Sequence, residues 1–146
     1  MRAVENNFDD LKVNELLKKH FIELRSVSPA GSTHVLDIDG LKDKTIKFWS
    51  IWDNEDLIGC GAIKVLSQNH GEFKSIRVHD KFREKGFGQK IISILLSKSR
   101  DIGLKTFLLR LDQVNFLSQQ ENYLSLVVLK SVILLVTIRM IKIHVI

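Results

Sequence analysis

Six consecutive residues, Arg83, Glu84, Lys85, Gly86, Phe87 and Gly88, set two glycines one residue apart, directly before an apolar-rich run. A helix opening there has first-turn amides with no internal acceptor and carries about half a positive charge at that end, so its natural ligand is an anion. Gly86 and Gly88 remove side chains where a phosphate must come within hydrogen-bond distance of those amides. Lys81, Arg83, Lys85 and Lys90 raise the local potential. The R-x-x-G-x-G spacing lacks the G-K-[ST] of a nucleotide-triphosphate loop and the third glycine of a dinucleotide fingerprint. A glycine-eased turn ringed by solvated lysines meets the same pattern, and the spacing alone does not separate the two readings.

The elements that must position this loop follow from periodicity. Residues 1 to 4 read as a short strand. A helix spans "DDLKVNELLKKHFIELRSV", where Val13, Leu16, Leu17, Phe21 and Leu24 recur at helical spacing and Asp9 or Asp10 caps the start. "SPAGS" ends it with the only proline, and "LDIDGLKD" adds one further turn. Two β-rich runs, "TIKFWSIWD" and "LIGCGAIKVLS", are joined by "NED", whose Asn and Asp tolerate tight-turn backbone angles. "GEFKSIRV" is a third strand of this antiparallel meander. "GFGQKIISILLSKSR" is helical with Phe87, Ile91 and Leu95 on one stripe, Gly103 lets the chain leave, and "KTFLLRL" is a buried strand.

Bulk properties bound the function. A chain of 146 residues, 45% hydrophobic and 27% charged, is the size of one ordinary domain with a real core. Acids in "MRAVENNFDD" leave no room for an unbroken signal-peptide core, and the single cysteine, Cys60, forms no internal disulfide; a reducing cytoplasm fits. The formal charge of +5 attracts nucleic acid, acidic lipid or a polyanionic cofactor alike.

Taken together, "IRV" ending a strand and R-x-x-G-x-G opening a helix resemble the acetyl-CoA-binding segment of the GNAT superfamily of N-acetyltransferases. "HFIELRSVSPAGSTHVLDIDGL", "FWSIWDNEDLIGCGAIKVL" and "HGEFKSIRV" are similar to blocks of one bacterial branch of it, and the likeness covers about residues 9–111. It implies an α/β (α+β) fold: a mixed, mostly antiparallel sheet flanked by helices, with an altered C-terminal part. It further implies acetyl-CoA as acyl donor and a primary amine, of a small molecule, as acceptor. The backbone of Ile76, Arg77 and Val78 would take the pantetheine arm, and Arg83, Glu84, Lys85, Gly86, Phe87 and Gly88 the pyrophosphate. A splayed strand edge and a helix mouth offer the amides both need. No metal is implied.

Acetyl transfer needs a deprotonated amine, and Glu72, just before the donor segment, is the best-placed base, acting through water. Flanked by Gly71 and Phe73, it also fits the solvent face of a strand. His70 and His34 read as structural hydrogen bonders. Trp49 and Trp52, three apart on a strand, face opposite sides as core residues, and Cys60, with no base beside it, reads as packing.

After Leu111 the likeness stops. In the family the strand would run into a glutamate-threonine-glycine turn, a helix and two closing strands; here residues 112 to 146 contain no glycine, proline or alanine, although all eight glycines precede Leu104. A one-nucleotide shift near Leu111 or Asp112 accounts for the break. Codons begun at the third nucleotide permit S-G-x-F-F-x-P-A-R-x-L-F and later N-Y-Q-D-D-K-N-S, and Met140 followed by isoleucine forces an aspartate codon. Lys130 interrupts the apolar stretch short of the about 18 residues of a membrane span, so the tail is read as β-structure on the sheet or a self-association segment; Tyr123 belongs to it and matches no family motif. Two alternatives stand beside the enzyme: a donor-binding remnant without turnover, and a basic nucleic-acid binder using "KFREK". The latter lacks interleaved aromatics for stacking.

Overall fold

Capping groups fix the first helices. In the computed structural model, which describes residues 1–27, 36–110, 132–137 and 140–145, the Asp10 carboxylate accepts from the amides of Lys12 (2.9 Å) and Val13 (3.3 Å). That opens α1 (Leu11–Val27). Asp37 does the same for the one-turn α2 (Ile38–Leu41), accepting from Gly40 at 2.8 Å. The strands are β1 (Arg2–Glu5), β2 (Ile46–Asp53), β3 (Asp56–Val65) and β4 (His70–Val78), then, after α3 (Phe87–Asp101), β5 (Thr106–Arg110), β6 (Val132–Thr137) and β7 (Met140–Val145).

The sheet order is β1-β2-β3-β4-β5-β7-β6. β1 to β4 are antiparallel, and Asp53 pairs with Asp56 across a tight turn in which Asn54 takes a positive φ of 51°. β5 runs parallel to β4, so β4, α3 and β5 form a crossover following a meander, as the periodicity predicts. Gly103 (φ 84°) ends α3; its amide donates to Arg100 and that of Leu104 to Ser99, which satisfies the last carbonyls. The family-like turn and helix do not recur in the tail's sequence, but its reading as β-structure on the sheet holds at the backbone level for β6 and β7: β7 pairs with β5 and β6 with β7, both antiparallel. β-branched residues are dense in this part of the tail, and such residues suit a pleated ladder. His34, Tyr123 and the stretch from Leu111 to Ser131 lie outside the described residues.

Two cores sandwich the sheet. α3 packs Ile91, Ile92, Leu95 and Leu96 against Trp49, Ile51, Ile58, Ile63, Phe73 and Phe107. α1 and α2 pack Val13, Leu16, Leu17 and Leu41 against Phe48, Trp52, Cys60 and Ala62 on the other face. Trp49 and Trp52 therefore do lie on opposite faces, both buried. Gly59 and Gly61 let α3 approach: a Cβ at Gly59 would meet the Arg77 carbonyl oxygen and Ile91, and one at Gly61 would run into Leu95.

Candidate functional site

The pairing of β4 changes partway along. Cys60 pairs with Arg77 but Ala62 with Lys74, so β4 carries one extra residue, and Ser75 adopts a φ of 49° there. Such a bulge bends its strand. β5 follows β4 only through His70↔Thr106, Gly71↔Phe107 and Glu72↔Leu108. Beyond Glu72 the two strands part, and β5 continues with β7 as far as Arg110. The opening lies beside Ile76, Arg77 and Val78, the segment whose backbone the resemblance assigns to the pantetheine arm.

The chain then makes a 3-10 turn (Asp80–Phe82), capped by the His79 ring, and curls into α3 through two left-handed residues, Glu84 (φ 61°) and Gly86 (φ 80°). At Gly86 the glycine has a conformational reason, since left-handed backbone is costly with a Cβ. A Cβ there would meet nothing within 4 Å, so that side of the turn is open to a ligand. Gly88 is buried in the first turn of α3. Three of the four side chains expected to supply potential are engaged locally. Lys85 donates to the Lys81 carbonyl (3.0 Å), Lys90 lies 4.8 Å above the Phe87 ring, and Phe87 meets Phe82 edge-on at 5.5 Å. Arg83, expected to raise the potential at the helix mouth, is held by Asp80 (2.9 Å) and Glu23 (3.5 Å).

Glu72 stands where β4 and β5 separate. The expectation of a solvent-facing carboxylate is corrected: Glu72 is 4% exposed and lies 2.9 Å from the ammonium of Lys74, itself 5% exposed. Register puts both on the α1 face, since Glu72 lies opposite Lys64 and Lys74 opposite Ala62. Further along that face Arg77, fully buried, holds Glu23 of α1 with both terminal nitrogens and Asp80 with one. Lys19 pairs with Asp80. The hydrogen bond from Arg77, aided by its charge and that of Arg83, outweighs burial and holds Glu23 below the usual glutamate range. At Asp80 burial pushes upward, but the Lys19 hydrogen bond and the charges of Arg83 and Arg77 leave the group lowered. His20 is buried beside these arginines. Desolvation first, then Arg77 and Arg83, lower it to about 3, so the ring is neutral at pH 7.

Cys60 points into the α1-side core with its thiol 3.5 Å from the Ser75 carbonyl, and burial pushes it up to about 12. It is packing, as expected. His70 meets Ser67 at 2.9 Å, at the opposite end of β4 from the loop. A hollow between α1, the start of β3 and the 3-10 turn is lined by Lys12, Glu15, Lys19, Asp56, His79 and Asp80 among others. No group of metal-ligating side chains forms among the described residues, and no helix among them is long and apolar enough to cross a membrane.

Sequence reasoning missed Glu23, Asp80, His20 and Lys74. Its available signals were the R-x-x-D-x-x-R spacing of residues 77, 80 and 83 and the E-x-K spacing of residues 72 and 74, which puts two opposite charges on one strand face.

The sequence profile of the Acetyltransferase (GNAT) family matches residues 12–120. The uncharacterized N-acetyltransferase YedL of Escherichia coli (strain K12) is 36% identical over 96 residues, covering 64% of this chain and 60% of that protein. The uncharacterized N-acetyltransferase YsnE of Bacillus subtilis (strain 168) is 34% identical over 98 residues, 65% of either chain. The chain thus spans between 60% and 65% of the length of these relatives. A GNAT family acetyltransferase from Elizabethkingia anophelis, crystallised with acetyl-CoA bound, shares the fold at a TM-score of 0.58 and 15% identity, over 99% of this chain and 96% of that one.

Proposed function

The chain belongs to the Acetyltransferase (GNAT) family, and from that premise we propose that it moves the acetyl group of acetyl-CoA to a primary amine of a small molecule by direct attack in a ternary complex. The observation that carries the reading is the coincidence of three features along β4. The strand parts from β5 after Glu72, it leads into a helix mouth opened by a left-handed Gly86, and a buried carboxylate stands where the parting begins.

In this reading the backbone of Ile76, Arg77 and Val78 pairs with the pantetheine arm as an added strand would, and the turn from Arg83 to Gly88 takes the pyrophosphate on its amides. The thioester then lies toward the start of the opening, near Glu72. The Lys74 ammonium lies 2.9 Å from its carboxylate. Through a water, Glu72 accepts the proton the acceptor ammonium must lose. The freed amine attacks the thioester carbonyl, and the carbon–sulfur bond breaks to release coenzyme A. Residues 1–111 form the donor-binding core, and the divergent tail from residue 112 belongs to the same domain, where its strands β6 and β7 extend the sheet, or serves self-association.

The test is coenzyme A release over an amine panel across pH, for the parent and Glu72→Gln. A general base of this kind contributes about 10²- to 10⁴-fold, so the variant is expected to lose about that much kcat/KM together with the acid limb of its profile. An unchanged profile removes Glu72 from the role. Acetyl-CoA binding with no turnover on any amine instead favours a donor-binding remnant.

We propose also that the break in composition at Leu111 or Asp112 records a one-nucleotide shift, read directly from the coding DNA: a shifted frame that does not spell a family-like ending refutes it. A cytoplasmic setting is proposed from the lone, buried Cys60, and self-association through the tail is checked by light scattering.

A further inference from the structure

Five charged groups join α1 to the run of residues 77–83, two segments that the sequence separates. Arg77 ends the strand assigned to the pantetheine arm, Asp80 lies in the 3-10 turn, Arg83 opens the glycine loop, and Lys19 and Glu23 lie one turn apart on α1, which covers the other face. Both Glu23 oxygens engage Arg77, through Nη1 to Oε2 and Nη2 to Oε1 at 3.2 Å, and Oε2 also reaches Arg83 at 3.5 Å. Asp80 Oδ1 takes Arg77 and Arg83 at 2.9 Å each, while its Oδ2 takes Lys19. Arg77 is fully buried, so its charge depends on these carboxylates, and the loss of either weakens the compensation of a cation inside the protein. Fork-shaped guanidinium pairing also fixes orientation, which a lone ammonium does not.

We propose that Glu23 is a positioning residue for the acyl donor. Through Arg77 it sets the end of β4, and through Arg83 it sets the first residue of the glycine loop, without touching the donor itself. The inference rests on the reading that these two segments hold acetyl-CoA. It reverses what a free Arg83 would do. If Arg83 served the phosphates directly, cutting its tie to Glu23 would release it to them, and binding would hold or tighten. If the tie positions the loop, the same cut weakens binding.

Calorimetric titration of acetyl-CoA into the parent, Glu23→Gln, Arg83→Gln and the double variant separates these cases, with circular dichroism confirming the fold and hydrogen exchange following amides 83–88. Each single variant is expected to raise Kd about tenfold and to speed exchange in the loop. The double variant should be no worse than the weaker single, because both act on one element. Glu23→Gln binding as tightly as the parent, or losses that multiply in the double variant, overturns the proposal. Should Glu23→Gln fail to fold, Arg83→Gln decides: faster loop exchange with a weakened, salt-insensitive Kd supports it. Parent-like binding, or a loss that fades as salt rises, refutes it. A parent that binds no acetyl-CoA defeats the underlying reading itself, whereas a parent that binds beside an indifferent Glu23→Gln defeats this inference alone.

Discussion

Toward α3 the central strands present Gly59, Gly61, Ile63 and Phe73; toward α1 the same strands present Cys60, Ala62, Glu72, Lys74 and Arg77. The first set is apolar or absent and lets a helix lie close. The second carries three acidic or basic side chains in the interior, each engaged by a partner of opposite type. Buried ion pairs are seldom a good source of stability, because desolvation offsets their attraction. Their concentration on one face, along the strand that opens from β5, marks that face as the one shaped by chemistry and the α3 face as the one shaped by packing.

The largest expected effect falls on the charged face. Arg77→Ala should destabilise by about 3–5 kcal/mol, because it empties the space of a large, fully buried side chain that ties α1 to β4; a urea midpoint close to the parent's at equal slope breaks the contrast. On the packing face, Gly59→Ala should cost about 3 kcal/mol, since its Cβ meets the Arg77 carbonyl, part of the ladder, which cannot move aside. Gly61→Ala meets only the end of the Leu95 side chain and should cost about 1 kcal/mol. Equal losses at the two glycines would mean that α3 packs less closely than described.

A pH titration sharpens the comparison further. Unfolded His20 takes a proton near 6.5, the folded ring only near 3. Between these values the unfolded state binds the extra proton, so stability falls as pH falls, by about 1.4 kcal/mol per pH unit for one such group. Glu23 and Asp80, lowered in the fold, add to the loss only at the acid end, where unfolded carboxylates protonate first. His20→Gln should flatten the upper part of the curve and leave the acid end; a parent curve already flat there contradicts a buried neutral ring. The smallest effect concerns Cys60, which should not react with a thiol reagent in the folded protein and should label only in urea.

Much of this was legible because local rules and tertiary packing agree. The Asp10 cap, the Gly103 exit, the meander and the parallel β5 follow from residue type and spacing. The Trp49 and Trp52 split follows from the period of two in a strand. Glu72 was named from its position, but not its burial: Lys74 two residues on makes burial tolerable, and strand periodicity places that pair without saying which face α1 covers. Glu23 was hidden because its partners lie 54 and 60 residues away. Nothing local in α1 distinguishes it from a solvated helix charge. In the tail, composition signalled a break, while the backbone pairing of β5, β7 and β6 followed a pattern of β-branched residues that survives it.

The central claim is that the strand end and the glycine loop together receive acetyl-CoA on their backbone amides. Hydrogen exchange of the purified chain, with and without saturating acetyl-CoA, tests it most directly. The account predicts slowed exchange at residues 76–78 and 83–88, with the exposed outer turns of α1 unchanged. Protection confined to the hollow between Lys12 and His79, or no protection at any concentration that saturates a calorimetric signal, would contradict it.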